Sequence, residues 1–292
     1  MKKLIPAWLA VCACASINVN AQDMGKLLAT GGVSQVEGAG GGGITPWALI
    51  TGYGTRDSWG ANAHYTYIKT QDYKLGSYGV AIGVSDRLEI SFANQEFKGS
   101  LAPLDKLNIK QDIAGLKLKV LGDAVYEQDS WVPQVAIGIM YKKNQGVRGL
   151  EALGVTNVKQ LGAEDDSGYD YYVSATKIYL EHSLLLNATL RATRANQMGL
   201  LGFGGDRNDA TRLKPEFSAA YLINRKLVIG AEYRRKPHNL SVDNEKAYYD
   251  AFIAWFPTRN FSVTAAYAHL GDITIFNEKK QKGLYLSLQA GF

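Results

Sequence analysis

The tripeptide Glu181-His182-Ser183 holds an acid, a base and a nucleophile in a row, the residue types of a hydrolytic triad. Adjacent side chains on an extended strand point to opposite faces, so His182 and Ser183 are poorly placed to share a proton. A polar turn is the simpler reading. "GAGGGG", Gly38 to Gly43, fits the spacing of a dinucleotide-binding turn. That chemistry needs a following helix and an acidic residue about twenty positions on. Here the run leads into Ile44-Thr45-Pro46-Trp47, which starts no amphipathic helix. Glycines of this kind instead let backbone lie against a barrel wall, bend sharply, or cross a lumen without filling it. "GAEDDSGYD" brings Glu164, Asp165, Asp166 and Asp170 into one stretch. It supplies only part of a calcium ligand set and reads as a solvated acidic loop. No metal, cofactor or catalytic residue is assigned, and the remaining histidines, His64, His238 and His269, have no partner at a recognisable spacing.

The elements that position these residues begin with an export signal. Lys2 and Lys3 precede an apolar run that ends near Val19-Asn20-Ala21, which predicts a signal peptide over 1–21, cleaved after Ala21. A lipoprotein signal acylated at Cys14 is the weaker alternative. Both cysteines lie inside this leader, so the mature chain has neither a disulfide nor a thiolate site. Without Lys2 and Lys3 the 32 basic residues become 30 against 27 acids, a net +3. That balance gives no reason to expect nucleic acid.

Past the leader the pattern has period two. In "KLVIGAEYRRK", Leu227, Ile229, Ala231 and Tyr233 oppose Val228, Gly230, Glu232 and Arg234. In "TRLKPEFSAAYLIN", Leu213, Pro215, Phe217, Ala219 and Tyr221 oppose Lys214, Glu216 and Ser218. Segments of about ten residues alternate in this way, the length of a tilted strand crossing a bilayer. Aromatics gather near strand ends, as at Trp59, Trp131, Tyr248, Tyr249, Trp255 and Phe256, which suits interfacial girdles. Turns such as Ser85-Asp86 and Asn224-Arg225 alternate with long polar connections. The last segment, "LYLSLQAGF", alternates to a terminal Phe292, like the strand that the barrel-assembly machinery reads.

These features predict an all-β, transmembrane antiparallel β-barrel in the outer membrane of a Gram-negative bacterium. Thirteen candidate strands run from Pro46–Thr55 to Gly283–Phe292. Counting Leu27–Glu37 as the first strand gives fourteen, the preferred number; omitting Pro46–Thr55 gives twelve. The domain reading is a signal peptide over 1–21, a glycine-rich segment or first strand over 22–45, and the barrel over 46–292. One strand, Tyr169–Glu181, puts Lys177 on the lipid face unless a bulge intervenes.

Several stretches resemble a known family. "LLATGGVSQVEGAGGGGITPWALITGYGTRD", with "GYDYYVSATKIYL", "GFGGDRND" and "NRKLVIGAEYRRKPHNL", is similar to the uncharacterised Gram-negative domain of unknown function number 3034. The resemblance covers essentially the whole mature chain. It implies an outer-membrane barrel and carries over no activity or site residue.

The polar faces place Glu89, Lys117, Lys119, Arg191, Lys214, Glu216, Glu232, Arg234 and Asp250 toward the lumen. Mixed charges there can select among ions and solutes or can form an internal salt-bridge network. The long connection Lys143–Gly168 is expected either to constrict the barrel mouth or to form an outer lid. The reading is a monomeric, passive, porin-like channel for small solutes. A non-conducting structural or adhesion barrel is the alternative, and an outer-membrane lipid hydrolase a lesser one. The expected partners are membrane lipids, lipopolysaccharide and, through Phe292, the assembly machinery.

Overall fold

Alternating residues can bury both of their faces only if one meets lipid and the other a filled interior. The computed structural model, which describes residues 26–102, 104–273 and 280–292, shows that arrangement. The proposed leader therefore lies outside the described residues. Two short pairing segments, β1 (Val33–Ser34) and β2 (Gly40–Gly41), come first. The wall then runs β3 (Trp59–Thr70), β4 (Tyr73–Val84), β5 (Leu88–Gly99), β6 (Asn108–Leu121), β7 (Gln134–Arg148) and β8 (Ser167–Tyr179). It continues with β9 (Leu184–Thr193), β10 (Arg212–Asn224), β11 (Leu227–Arg234), β12 (Tyr248–Thr258), β13 (Phe261–Asp272) and β14 (Lys280–Gly291). Each wall strand pairs antiparallel with the next, and β14 closes on β3. Closure removes every sheet edge, as a lipid environment requires.

The wall has twelve strands among the described residues, the smaller of the two expected numbers. Leu27–Glu37 and Pro46–Thr55 belong to no wall strand; apart from their ends at the rim they lie buried within the barrel. Their sequence misleads because a chain packed on all sides is apolar and small-residue-rich, which a strand pattern also tolerates. The outward face carries Phe217, Tyr221, Ile253, Leu286 and their neighbours, each exposed. Of the expected girdle aromatics, Trp59, Trp131, Tyr249 and Trp255 are exposed, but Tyr248 and Phe256 are buried. Their neighbours Tyr249 and Trp255 occupy the outward positions, and successive strand residues face opposite ways.

Both ends of the wall, β3's start and β14's finish, meet at the rim that carries most of the tight turns. Ser85 and Asp86 both have positive φ (53° and 47°), the backbone of a two-residue hairpin turn. In outer-membrane barrels such a rim is periplasmic. The exception there is 122–133, a longer connection folded over the wall. It also explains Lys177. The register of β8 has no bulge against β7 or β9. The side chain leaves on the lipid-facing side, yet it is buried under that connection. Its ammonium donates to the carbonyl of Glu127 at 2.6 Å and, more distantly, to those of Asp123 and Val132.

Candidate functional site: a plugged lumen

The N-terminal segment enters at the periplasmic rim, where Lys26 pairs with Asp86 at 2.7 Å. It climbs into the lumen, turns around Gln35–Ala39, descends, and leaves beside Phe292, whose carbonyl accepts from Tyr53 N–H at 3.1 Å. The segment has almost no ladder of its own, so wall side chains must satisfy its backbone. Ser77 and Gln95 both donate to the Val36 carbonyl at 2.7 Å. The Pro46 carbonyl accepts from Thr189 at 2.8 Å and Ser174 at 3.2 Å. Ala48 N–H donates to Thr176, and its carbonyl accepts from Gln134. Trp47 Nε1 donates to Ser218 at 2.9 Å.

The glycines permit this approach. Gly40 N–H donates to Glu89 Oε1 at 2.9 Å, and Thr51 N–H donates to Oε2 of the same carboxylate at 2.8 Å. Lys117 Nζ donates to the carbonyls of Gly40 and Leu49 and pairs with Glu89 at 3.0 Å. Gly43 and Ile44 N–H both donate to Glu232 Oε2, at 2.6 and 2.9 Å. A Cβ on Gly42 would overlap the Glu232 carboxylate, and one on Gly41 the Thr45 carbonyl. "GAGGGG" is thus the part of the plug that touches charged wall residues through its backbone.

At mid-lumen six acidic and basic side chains close on one another. Glu37 of the plug is paired with Lys142 of β7 and with Arg234 of β11, the latter at 2.5 Å. Lys142 reaches Asp170 of β8 at 2.6 Å, and Arg191 of β9 reaches Asp170 at 3.2 Å. Arg191 Nε meets Glu216 of β10 at 2.5 Å; Arg234 Nε lies 3.4 Å from the same carboxylate. Three acids and three bases balance, and every one is buried. Taking these charges out of water is tolerable only because each carboxylate meets two or more cations.

The outer end is closed separately. Residues 194–211, between β9 and β10, fold back into the mouth. Lys142 and Gln111 donate to the Met198 carbonyl at 3.1 and 3.3 Å. Gln197 takes a hydrogen bond from Lys236 at 2.8 Å and donates to Asp243 at 2.7 Å. Of the expected loop Lys143–Gly168, Lys143–Arg148 and Ser167–Gly168 extend the wall strands instead. The remainder packs Val158, Leu161 and Ala163 with Leu200, Leu201 and Leu240 in one apolar cluster over the mouth.

Of the nine residues expected to face the lumen, Glu89, Lys117, Arg191, Glu216, Glu232, Arg234 and Asp250 are buried inside. Lys119 is at the periplasmic rim, bound to Asp86 at 2.7 Å and Asp123 at 3.5 Å. Lys214 is only partly buried near the outer end. Glu37, Lys142 and Asp170 escaped sequence reasoning. Asp170 is no loop residue: it alternates with Tyr172, Ser174 and Thr176 on the inward face of β8. Lys142 follows Met140 in the same way on β7. Asp165, by contrast, is held by Arg194 at 2.6 Å, so the acidic stretch is a surface ion-pair loop. Glu181-His182-Ser183 forms the turn between β8 and β9, with Glu181 and His182 exposed.

A protein-family profile described as "Protein of unknown function (DUF3034)" matches residues 30–289, plug and wall together. The chain belongs to this family. No curated protein matches it. Among solved structures, the NanC porin is 9% identical with a TM-score of 0.51, covering 79% of this chain and 98% of that one. A KdgM porin in complex with disordered oligogalacturonate is 10% identical, with a TM-score of 0.49 and coverage of 79% and 99%. The COG4313 outer membrane channel from Pseudomonas putida F1 is 13% identical, with a TM-score of 0.43 and coverage of 85% and 97%. The closed antiparallel wall and its apolar outer band give this family member the fold of an outer-membrane-type β-barrel, its outward face turned to lipid.

Proposed function

We propose that the barrel is a passive, porin-like channel for small solutes that its own N-terminal segment holds closed. The observation that carries this reading is Glu37. Remove the plug and Lys142, Arg191 and Arg234 face only Asp170 and Glu216, which leaves a lumen of mixed charge with a net positive ring. Such a ring is the chemistry of a selective aqueous passage. Monomeric assembly through Phe292, and the absence of a catalytic role, belong to the same reading. What supports the latter is that His182 and Ser183 occupy the periplasmic turn, away from outer-leaflet lipid.

The test is a comparison of single-channel currents in planar bilayers. The mature chain is recorded beside one lacking residues 26–57, after heat-modifiable gel mobility has shown both to be folded. Rare or small events from the first and stable large steps from the second are expected. Silence from a folded, plug-less barrel would sink the proposal. That result would favour a non-conducting structural or adhesion barrel, a reading that the filled lumen also supports.

A further inference from the structure

The lipid-facing surface changes character along one part of the outer rim. Toward that rim the outward positions of β3 run Tyr65, Tyr67, Lys69, and those of β4 run Tyr78, Gly76, Lys74. Tyr65 stands directly across from Tyr78, and both rings are exposed. Such tyrosines mark the headgroup level of a membrane. Beyond them Lys69 lies directly across from Lys74, and Lys74 directly across from Lys98 of β5. Lys282 of β14 faces outward two residues before Leu284, the partner of Lys69, and Lys110 of β6 faces Glu96. Five adjacent strands, β14 and β3 to β6, thus each turn a lysine outward at this end.

Like charges directly opposite each other on a sheet repel and destabilise it. The protein relieves only part of this row. Glu96 and Asp112 are the outward acids of these strands. Glu96 serves Lys98 at 2.8 Å and Lys110 at 3.3 Å, while Asp112 accepts from Asn94 and Gln145. In the turn between β3 and β4, Asp72 accepts from Gln281 at 2.7 Å. Among the described residues Lys69, Lys74 and Lys282 make no ion pair. Between Lys74 and Tyr78 the outward position is Gly76, where a Cβ would meet nothing within 4 Å, so the face has a notch directly beside the unpaired lysines. Across the barrel the outer ends of β8 and β10 present Tyr169 and Leu213 outward instead.

We propose that this lysine row is a docking surface for lipopolysaccharide, held through the phosphates of its lipid anchor. Charge complementarity selects the occupant. A phosphorylated lipid brings its negative charge to headgroup depth, just beyond the tyrosines, where flexible lysine stems from three adjacent strands can close on it. Its acyl chains then lie on the apolar band below, with Val80, Ile82 and Phe92 exposed there. A free phosphate ion would need no such alignment of lysines along an aromatic girdle. The surface rests on the reading of the rim with most of the tight turns as periplasmic, and it stands whether or not the lumen conducts.

The experiment titrates the full mature chain, folded in detergent, with four probes and counts bound lipid by native mass spectrometry. The probes are diphosphoryl lipid A, its dephosphorylated form, phosphatidylglycerol and inorganic phosphate. A saturable one-to-one adduct with diphosphoryl lipid A alone is expected. Combining Lys69→Gln, Lys74→Gln and Lys98→Gln should weaken that adduct on the order of 100-fold, at about one tenfold step or slightly less per lysine. With the mutual repulsion gone, the same variant without lipid should unfold no earlier than the parent. Arginine at the same three positions keeps the charge and should keep the adduct. Equal retention of the dephosphorylated form would overturn the proposal by reducing the contact to acyl chains. Equal binding of phosphatidylglycerol or inorganic phosphate would overturn it by making the row a general anion surface. An undiminished adduct in the glutamine variant would place the phosphates elsewhere on the barrel. The comparison of probes on the parent decides the matter even where a variant folds poorly.

Discussion

Arg234 on β11 donates through Nη1 to Oε2 of Glu37 at 2.5 Å, joining the wall to the plug across 197 positions of sequence. Lys142 and Arg191 complete the cationic surround of the same carboxylate. Glu37→Ala strands three buried cations against two acids. Removal of one partner from a buried ion network costs about 3–5 kcal/mol. The cost falls on the plug, because the wall ladders do not involve Glu37. Residues 26–57 of the variant should become protease-sensitive while the wall keeps its heat-modifiable mobility, and its single-channel steps should be larger than those of the parent. An equally protected plug would mean that the ion network does not hold it.

Gly42→Ala tests the close approach without removing a charged residue. The new methyl meets the Glu232 carboxylate, which is pinned by four donors and has nowhere to retreat. Overpacking of this kind costs about 1–3 kcal/mol. Gly76→Ala on β4 is the control, since a Cβ there meets nothing within 4 Å. A lower unfolding midpoint for Gly42→Ala and an unchanged one for Gly76→Ala are expected. Equal effects would remove steric necessity as the reason for the glycine run.

The outer cap should loosen as pH rises. Glu245, in the connection between β11 and β12, is buried, and burial pushes its carboxyl up to about 8. The neighbouring Asp243 adds to the rise, while Lys236, 3.4 Å away, opposes it. An exposed glutamate titrates near 4.5, so between that value and about 8 the closed cap holds a proton that the open cap releases. The open form binds fewer protons there, and closure weakens with rising pH until both forms are ionised. Amide exchange across 235–247, corrected for intrinsic rates, should accelerate from pH 5 to pH 8 in the parent. In Glu245→Gln, which keeps the shape and cannot ionise, that extra acceleration should vanish. Its persistence would assign the pH dependence to another group.

The wall was legible because lipid on one side and a polar interior on the other impose a strict period of two, as in β10 and β11. The same period betrays the inward face residue by residue, which is why Glu216, Glu232 and Arg234 could be named without a structure. Asp170 was lost where strand and acidic loop run together, since "EDDSGYD" has no break in polarity at which β8 begins. The plug was illegible for a different reason. A segment enclosed on every side has no face to alternate, and its partners, such as Glu89 for Gly40 or Glu232 for Gly43, lie tens to hundreds of residues away. Its glycines reported close contact, but nothing in them said with what.

Phe292 joins wall and plug. The Phe292 ring stands edge-on to Trp59 with centroids 4.9 Å apart, and its backbone exchanges hydrogen bonds with Ala61 while its carbonyl also accepts from Tyr53 as the plug leaves the lumen. Phe292→Ala keeps those backbone bonds and loses the ring contact, worth about 0.5–1.5 kcal/mol for an aromatic pair. Refolded in detergent, the variant should therefore form a barrel nearly as stable as the parent. If the terminal aromatic is also the signal that the assembly machinery reads, the amount of heat-modifiable barrel recovered from outer membranes should fall several-fold. Equal recovery from cells, with the small stability loss alone, would confine Phe292 to closing the barrel against Trp59.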